Sequence, residues 1–235
     1  MLTSLLPGLR HFRTPFAVGT ICAFQAWIVF GQWVPARDKA HGFIERLYVL
    51  GEVAGRPVVA SLITVVIYLM GDVLKISTRL AARINYGKEP DARHTIITLE
   101  SYHALRTYLE RLDHDDDQRS NIDNLMLAVI AEFPDVRMRL IANHLDVYME
   151  HDRFDSEAEF RVNIGVYSLS LWILLSIYWS PWALMGLPIS AVFFRNGIKA
   201  LREANTIIVQ SLVSGIASSR TYEQEERRLK EMDAW

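Results

Sequence analysis

Residues 162–194 read VNIGVYSLSLWILLSIYWSPWALMGLPISAVFF, 33 residues without a charged side chain. An unbroken helix of this length would reach about 50 Å, too long for one crossing of a bilayer core of roughly 30 Å. Pro181 interrupts helical hydrogen bonding in the middle of the stretch, and Tyr178, Trp179 and Trp182 beside it are typical of a headgroup boundary. The stretch therefore predicts a hairpin of two short spans, residues 162–178 and 182–194. A single tilted span is the alternative, and it would place the C-terminus on the opposite side of the membrane.

Two further uncharged runs, residues 16–34 and 58–71, lie nearer the N-terminus. The first would reach about 28 Å as a helix, and Thr14 and Pro15 before it predict a helix start. A cleaved signal peptide is the competing interpretation, although the first run is longer than a usual signal core and Gln32 to Pro35 is a poor cleavage site. The second run is rich in β-branched residues, but an isolated strand in lipid would leave its backbone unpaired, so a helix is expected.

These runs predict an all-α integral membrane protein with four transmembrane helices and a cytosolic helical domain. Residues 1–75 form a two-span region with a short outer loop that is either a surface helix or a polar connection. Residues 76–161 form the cytosolic domain, 162–194 the hairpin and 195–235 a cytosolic C-terminal helix. Basic residues at the inner ends of the spans, among them Arg10, Lys75 and Arg195, predict a multi-pass protein of the cell membrane with both termini cytoplasmic.

Composition excludes several classes of function. The net charge of −2 gives no basic stripe for nucleic acid, and the single cysteine, Cys22, excludes an internal disulfide. No nucleotide-binding glycine motif occurs in the sequence. We therefore expect the lipid bilayer as a partner, no nucleic acid and no cofactor.

The polar region between the second and third runs shows helical periodicity. Residues 99–112, 122–133 and 134–149 are expected to be helices, and Met138, Ile141, Leu145 and Tyr148 are expected to form one apolar stripe on the third of them. No alternating strand pattern is seen.

Two polar side chains lie in or beside the first two spans. Gln25 lies in the middle of the first span, and Asp72 lies at the inner end of the second. Such residues are costly in lipid unless they have partners. Either they make polar contacts between helices, with Lys75 or Arg79 as partners of Asp72, or they line a conduction path in an oligomer.

The C-terminal helix carries apolar residues three and four positions apart, with an asparagine among them. The predicted seam consists of Ile198, Leu201, Asn205, Ile208 and Leu212. An asparagine at one core position fixes register in coiled coils, which favours self-association. Packing on the chain's own cytosolic bundle is the equal alternative.

Three patterns share some features with chemical sites. Residues 113–117 have acids at alternate positions, as in a calcium loop, but Gln118 stands where a glycine is needed. Arg139 and His144 are separated by four residues, a spacing that resembles the motif of HEPN ribonucleases and would imply RNA cleavage, although on an unbroken helix they would point about 140° apart. His144, His151 and Asp155 lack the close spacing of a metal site. No catalytic residue and no metal site are predicted.

The order of two spans, cytosolic domain, hairpin and C-terminal helix resembles the layout of the MotA proton-channel stators. The resemblance concerns topology alone, because residues 162–194 are bulky where that family packs small residues, and its function is not transferred. The leading hypothesis is a homo-oligomeric channel or pore-forming effector gated by its cytosolic domain. The alternative is a non-catalytic membrane scaffold or accessory subunit that docks a soluble protein through residues 76–161. An enzyme is the least supported class.

Overall fold

A computed structural model describes residues 7–78, 80–81, 96–112 and 119–233, and within these ranges the chain is helical and has no strand. The α-helices, in chain order, are α1 (Pro7–Phe30), α2 (Phe43–Ala54), α3 (Arg56–Leu74), α4 (Leu99–Glu110), α5 (Arg119–Ala131), α6 (Phe133–Asn143), α7 (Leu145–Tyr178), α8 (Leu187–Val213) and α9 (Arg220–Asp233). Short 3-10 helices cover Gly31–Trp33, Arg37–Lys39 and Pro181–Gly186. The all-α prediction is confirmed.

The chain divides into two compact units. The first unit comprises Met1–Ser77 and Glu159–Gly197, and the second comprises Thr78–Ala158 and Ile198–Trp235. Helices α7 and α8 each contribute residues to both units, since α7 crosses the division between residues 158 and 159 and α8 crosses it between 197 and 198.

In the first unit, α1 and α3 pack so closely that two glycines are required. A Cβ placed on Gly19 would lie 1.8 Å from the Ile67 carbonyl oxygen, and one placed on Gly71 would lie 1.7 Å from the Pro15 carbonyl oxygen. These contacts pair later residues of α1 with earlier residues of α3, so the two helices are antiparallel. Small residues that let backbones approach in this way are characteristic of membrane helix pairs.

The chain reverses direction between Tyr178 and Leu187. Helix α7 ends at Tyr178, Ser180 is extended, and Pro181 begins a 3-10 helix, as its fixed φ and missing N–H favour. The two legs contact each other at Ser168 and Ser190, whose hydroxyl oxygens are 2.7 Å apart.

Glycines also set the spacing between the two legs of this reversal. A Cβ on Gly165 would lie 2.7 Å from the Phe194 nitrogen, and one on Gly186 would lie 2.1 Å from the Trp172 ring. The expectation that this stretch lacks small-residue packing was therefore wrong, because two glycines at the right positions suffice among bulky neighbours.

Helix α7 runs parallel to α1 in the first unit. The Arg13 guanidinium lies 4.0 Å from the centre of the Phe160 ring, and further along both helices Gln25 contacts Tyr167 and Ser170. The C-terminal ends of α1 and α7 therefore point the same way. Because α3 and the second leg run antiparallel to them, both connections, α2 and the turn after Tyr178, lie at one end of the first unit.

Among the residues that the structure describes, three helices are long and apolar enough to cross a membrane: His11–Trp33, Arg56–Leu74 and Leu145–Tyr178. In the second of these, 6% of the most apolar 18-residue window is buried inside the chain. A core helix of a water-soluble bundle would be mostly buried, whereas this window is largely exposed, which is compatible with a membrane protein.

The second unit has a continuous apolar core. Its central side chains come from α4, α5, α6 and α8 and include Leu105, Leu109, Met126, Val129, Val136, Leu140, Ile208, Val209 and Leu212. Thr98 caps α4 by accepting a hydrogen bond from the Ser101 N–H at 3.2 Å.

Two predicted helix boundaries were wrong. Pro15 lies inside α1, which begins at Pro7. The helix expected over residues 134–149 breaks at His144, so that α6 ends at Asn143 and α7 begins at Leu145.

The apolar stripe expected in this region was also placed on the wrong face. Met138, Ile141 and Leu145 are exposed, and α6 buries Val136 and Leu140 instead.

Candidate functional site

Gln25 forms a polar contact between α1 and α7. Its Nε2 atom donates to the Tyr167 carbonyl oxygen at 2.8 Å and to the Ser170 hydroxyl oxygen at 2.9 Å. Gln25, predicted either to contact another helix or to line a conduction path, is therefore hydrogen-bonded to a helix of its own chain.

Asp72 lies exposed at the C-terminal end of α3. Its carboxylate is 3.1 Å from Lys75 Nζ, which is 3.8 Å from the Glu159 carboxylate. The structure thus places Asp72 in a small charged cluster rather than beside Gln25, and the two candidate residues are not brought together.

Asn163 makes a contact that the sequence analysis missed. Its side chain is 0% exposed, its Oδ1 accepts from the Ile76 N–H at 2.7 Å, and its Nδ2 donates to the Ile76 carbonyl oxygen at 2.9 Å. Nδ2 also donates to the Glu159 carbonyl oxygen at 2.8 Å. One amide thereby satisfies both backbone groups of Ile76 just beyond α3, where hydrogen bonding within the helix has ended.

The residues of the predicted oligomer seam lie in the interior of the second unit. Ile198, Leu201, Asn205, Ile208 and Leu212 are all 8% exposed or less. The Asn205 Nδ2 atom donates to the Ile96 carbonyl oxygen at 2.9 Å. Side chains already packed inside their own chain offer no surface to a second copy, so the geometry favours packing on the chain's own bundle.

His151 joins α7 to α8 inside the second unit. Its Nδ1 atom lies 2.9 Å from the Ala204 carbonyl oxygen, which can only accept, so Nδ1 carries the proton. Its Nε2 atom is buried and has no hydrogen-bond partner among the described residues. His144, two helical turns away in sequence, is exposed at the end of α6.

Glu132 organises the start of α9, and the sequence analysis missed it as well. Its carboxylate accepts from the backbone N–H groups of Arg220 and Thr221 at 2.8 and 3.2 Å and from the Ser219 hydroxyl at 2.7 Å. Arg139 Nη2 lies 2.9 Å away. Unpaired N–H groups and the positive end of the helix dipole both favour a carboxylate at this position.

These contacts determine the acidity of Glu132. Burial by itself would raise the pKa of the carboxyl group, but the hydrogen bonds from Arg220, Ser219, Thr221 and Arg139 outweigh burial and lower the pKa to about 2. Glu132 is therefore ionised throughout the physiological range and acts as a fixed anion at the helix start.

The weaker chemical candidates gain no supporting geometry. The acidic tract 113–117 lies outside the described residues. Arg139 is bonded to Glu132 and to the Ser218 carbonyl oxygen. No group of three metal-ligating side chains is present in the part of the chain that the structure describes.

Comparisons of the chain with protein-family models, with curated proteins and with solved structures found no match.

Proposed function

We propose that this chain is a multi-pass protein of the cell membrane with four spans, the fourth formed by the leg that follows Pro181. The support is the antiparallel packing of this leg on α7 and the wide exposure of apolar side chains on α1, α3 and α7. Both termini and the second unit lie on the cytoplasmic side in this proposal, since Lys75 and Arg195 lie at the inner ends of the second and fourth spans.

Within the membrane, we propose a homo-oligomeric channel or pore-forming effector that the second unit gates. The observation that carries this proposal is the continuity of α7 and α8, each of which has residues in both units. A change in how the second unit holds these helices, for example at His151 and Ala204, would be transmitted along the helix backbone to the hairpin.

Two measurements, first the oligomeric state and then ion flux, test this proposal. Four short spans of one chain leave no room for a pore, so native mass measurement in detergent should show an oligomer. Ion flux should then occur from liposomes containing the purified protein. Asp72→Asn should change the flux, whereas Asp38→Asn, an equal loss of charge on an exposed residue of the loop between the first two spans, should not. A well-folded oligomer without flux contradicts the channel.

A membrane scaffold is the second candidate, and a specific surface favours it. Met138 and Ile141 near the end of α6 and Leu145 and Met149 at the start of α7 are exposed, all within twelve residues of the chain. Neighbouring exposed apolar side chains of this kind occur at protein interaction sites. A monomer without ion flux would favour the scaffold. The scaffold also predicts that the double variant Met138→Ser, Leu145→Ser binds a purified partner more weakly than the wild type.

A further inference from the structure

Helix α2 presents an apolar face that none of the described residues of the first unit covers. Phe43, Leu47, Leu50 and Val53 recur at intervals of four, three and three residues, which places them along one side of the helix. Each is between 49% and 82% exposed. A helix surrounded by water on all sides would not expose such an apolar stripe without an apolar partner.

Two contacts on the other side of α2 join it to the loop that precedes it. The Tyr48 hydroxyl donates to the Pro35 carbonyl oxygen at 3.2 Å, and Arg37 forms an ion pair with Glu52. Gly42 and Gly55, at the two ends of the helix, have φ values of 67° and 79°, a backbone conformation that glycine adopts without strain. The loop contacts and the apolar stripe therefore lie on different sides of α2.

The hairpin turn adds a second apolar surface at the same end of the first unit. Trp179, Trp182 and Met185 are 70% to 80% exposed. The parallel course of α1 and α7 brings this turn to the end that also carries α2. We call these seven residues, four on α2 and three on the turn, the interfacial surface.

We propose that the interfacial surface lies in the boundary between headgroups and acyl chains of the outer leaflet, so that α2 rests in the plane of the membrane. The proposal depends on the membrane embedding in the proposed function but not on conduction. Trp33, at the end of the first span, is also exposed and belongs to the same end of the first unit. Two of its members are tryptophans, which concentrate at this depth.

The charges on α2 are compatible with this placement. Glu45 and Glu52 lie roughly opposite Phe43 and Leu50 around the helix, on the side that would face water. Arg46 lies among the apolar residues, but its long side chain can place the stem in the acyl region and the guanidinium among lipid phosphates. This pattern of one apolar and one charged side is that of helices bound in the interface.

Spin-label depth measurements in liposomes of phosphatidylcholine and phosphatidylglycerol test the proposal. The labels are introduced as Leu47→Cys, Val53→Cys or Glu45→Cys in a Cys22→Ala background, and Leu62→Cys on α3 provides a reference in the membrane. Labels at 47 and 53 should be accessible to oxygen and protected from a water-soluble nickel quencher, at a depth of about 5–10 Å below the phosphates. The label at 45, on the opposite side of the same helix, should be accessible to the nickel quencher.

The possible outcomes separate the proposals. If labels 47 and 53 are as accessible to nickel as label 45 while label 62 remains in lipid, the interfacial surface is not bound to the membrane, although the embedding stands. If label 62 is also accessible to nickel, the embedding itself fails. If labels 47 and 53 are protected from both quenchers and couple magnetically between molecules, a second copy covers the surface and the lipid assignment is overturned.

Discussion

Glu132→Gln removes the charge that holds the start of α9 while preserving the shape of the side chain. The neutral amide places two donor hydrogens where the carboxylate accepted from Ser219, Arg220 and Thr221, so several of these bonds are lost. The pKa of Glu132 is about 2 in the folded protein and 4.5 as its ordinary value. At about 1.4 kcal/mol for each pH unit between the two values, the ionised carboxylate contributes about 3 kcal/mol.

The pH dependence has a definite sign. Because the folded-state pKa is the lower one, the stabilisation is complete above about pH 4.5 and declines as the pH falls towards 2. The difference between wild type and Glu132→Gln should therefore be constant near neutral pH and should disappear near pH 2.

Amide hydrogen exchange in detergent measures this contribution locally. Exchange at Arg220 and Thr221 should be faster in Glu132→Gln by about 100-fold, which corresponds to about 3 kcal/mol. Glu110→Gln is the matched control, because its ion pair with Arg106 is exposed and should contribute less than about 1 kcal/mol. Unchanged exchange at α9 in Glu132→Gln, or a loss of protection equal in both variants, would refute the reasoning.

Two further predictions concern the first unit. Gly19→Leu should abolish recovery of a monodisperse protein in detergent, because its side chain would overlap the α3 backbone. Ala26→Leu, at an exposed position of the same helix, should be recovered normally by size-exclusion chromatography. Asn163→Leu should leave both backbone groups of Ile76 without their partner, at a cost of about 1–3 kcal/mol for each buried group. Denaturation in mixed detergent should show the loss. Equal stability of Asn163→Leu and the control Ser176→Ala, whose hydroxyl bonds the Ile173 carbonyl oxygen of its own helix, would contradict it.

Local sequence signals predicted the helical class and the reversal at Pro181. A long run without charged residues predicts an apolar helix, and a proline between aromatic residues predicts where that helix is interrupted. Because both signals are local, neither prediction requires knowing which helix packs against the run. The same local reasoning is wrong at Pro15, for which it predicts the first position of a helix. Residues 7–14 are helical as well, because Thr14 and Val18 are buried and α1 packs on α3 before the uncharged run begins.

The contacts that position the candidate site depend on which helices meet, and this information is not local. Asn163 and Ile76 are 87 residues apart in sequence, as are Glu132 and Ser219. Asn163 lies in an uncharged run, where the absence of charge indicates a span but does not indicate the partner of its one amide. A buried amide or acid at a helix end is a signal worth searching for, but its partner becomes visible only in the fold.

The seam from Ile198 to Leu212 shows why periodicity alone does not identify a partner. Heptad spacing indicates that one side of a helix is buried, and that side is indeed buried. The remaining helices decide whether the neighbour is a second copy or the same chain. In the second unit, residues of this buried side pack in a core with α4, α5 and α6.

The central claim is that the uncharged helices lie in lipid, with the loop before α2 and the second unit on opposite sides. Labelling with a membrane-impermeant maleimide in intact cells tests it most directly, using His41→Cys or Gln224→Cys in a Cys22→Ala background; both positions are exposed. The cysteine at 41 should react in intact cells, and the cysteine at 224 should react only after permeabilisation. Equal reaction of both cysteines before permeabilisation would contradict the claim.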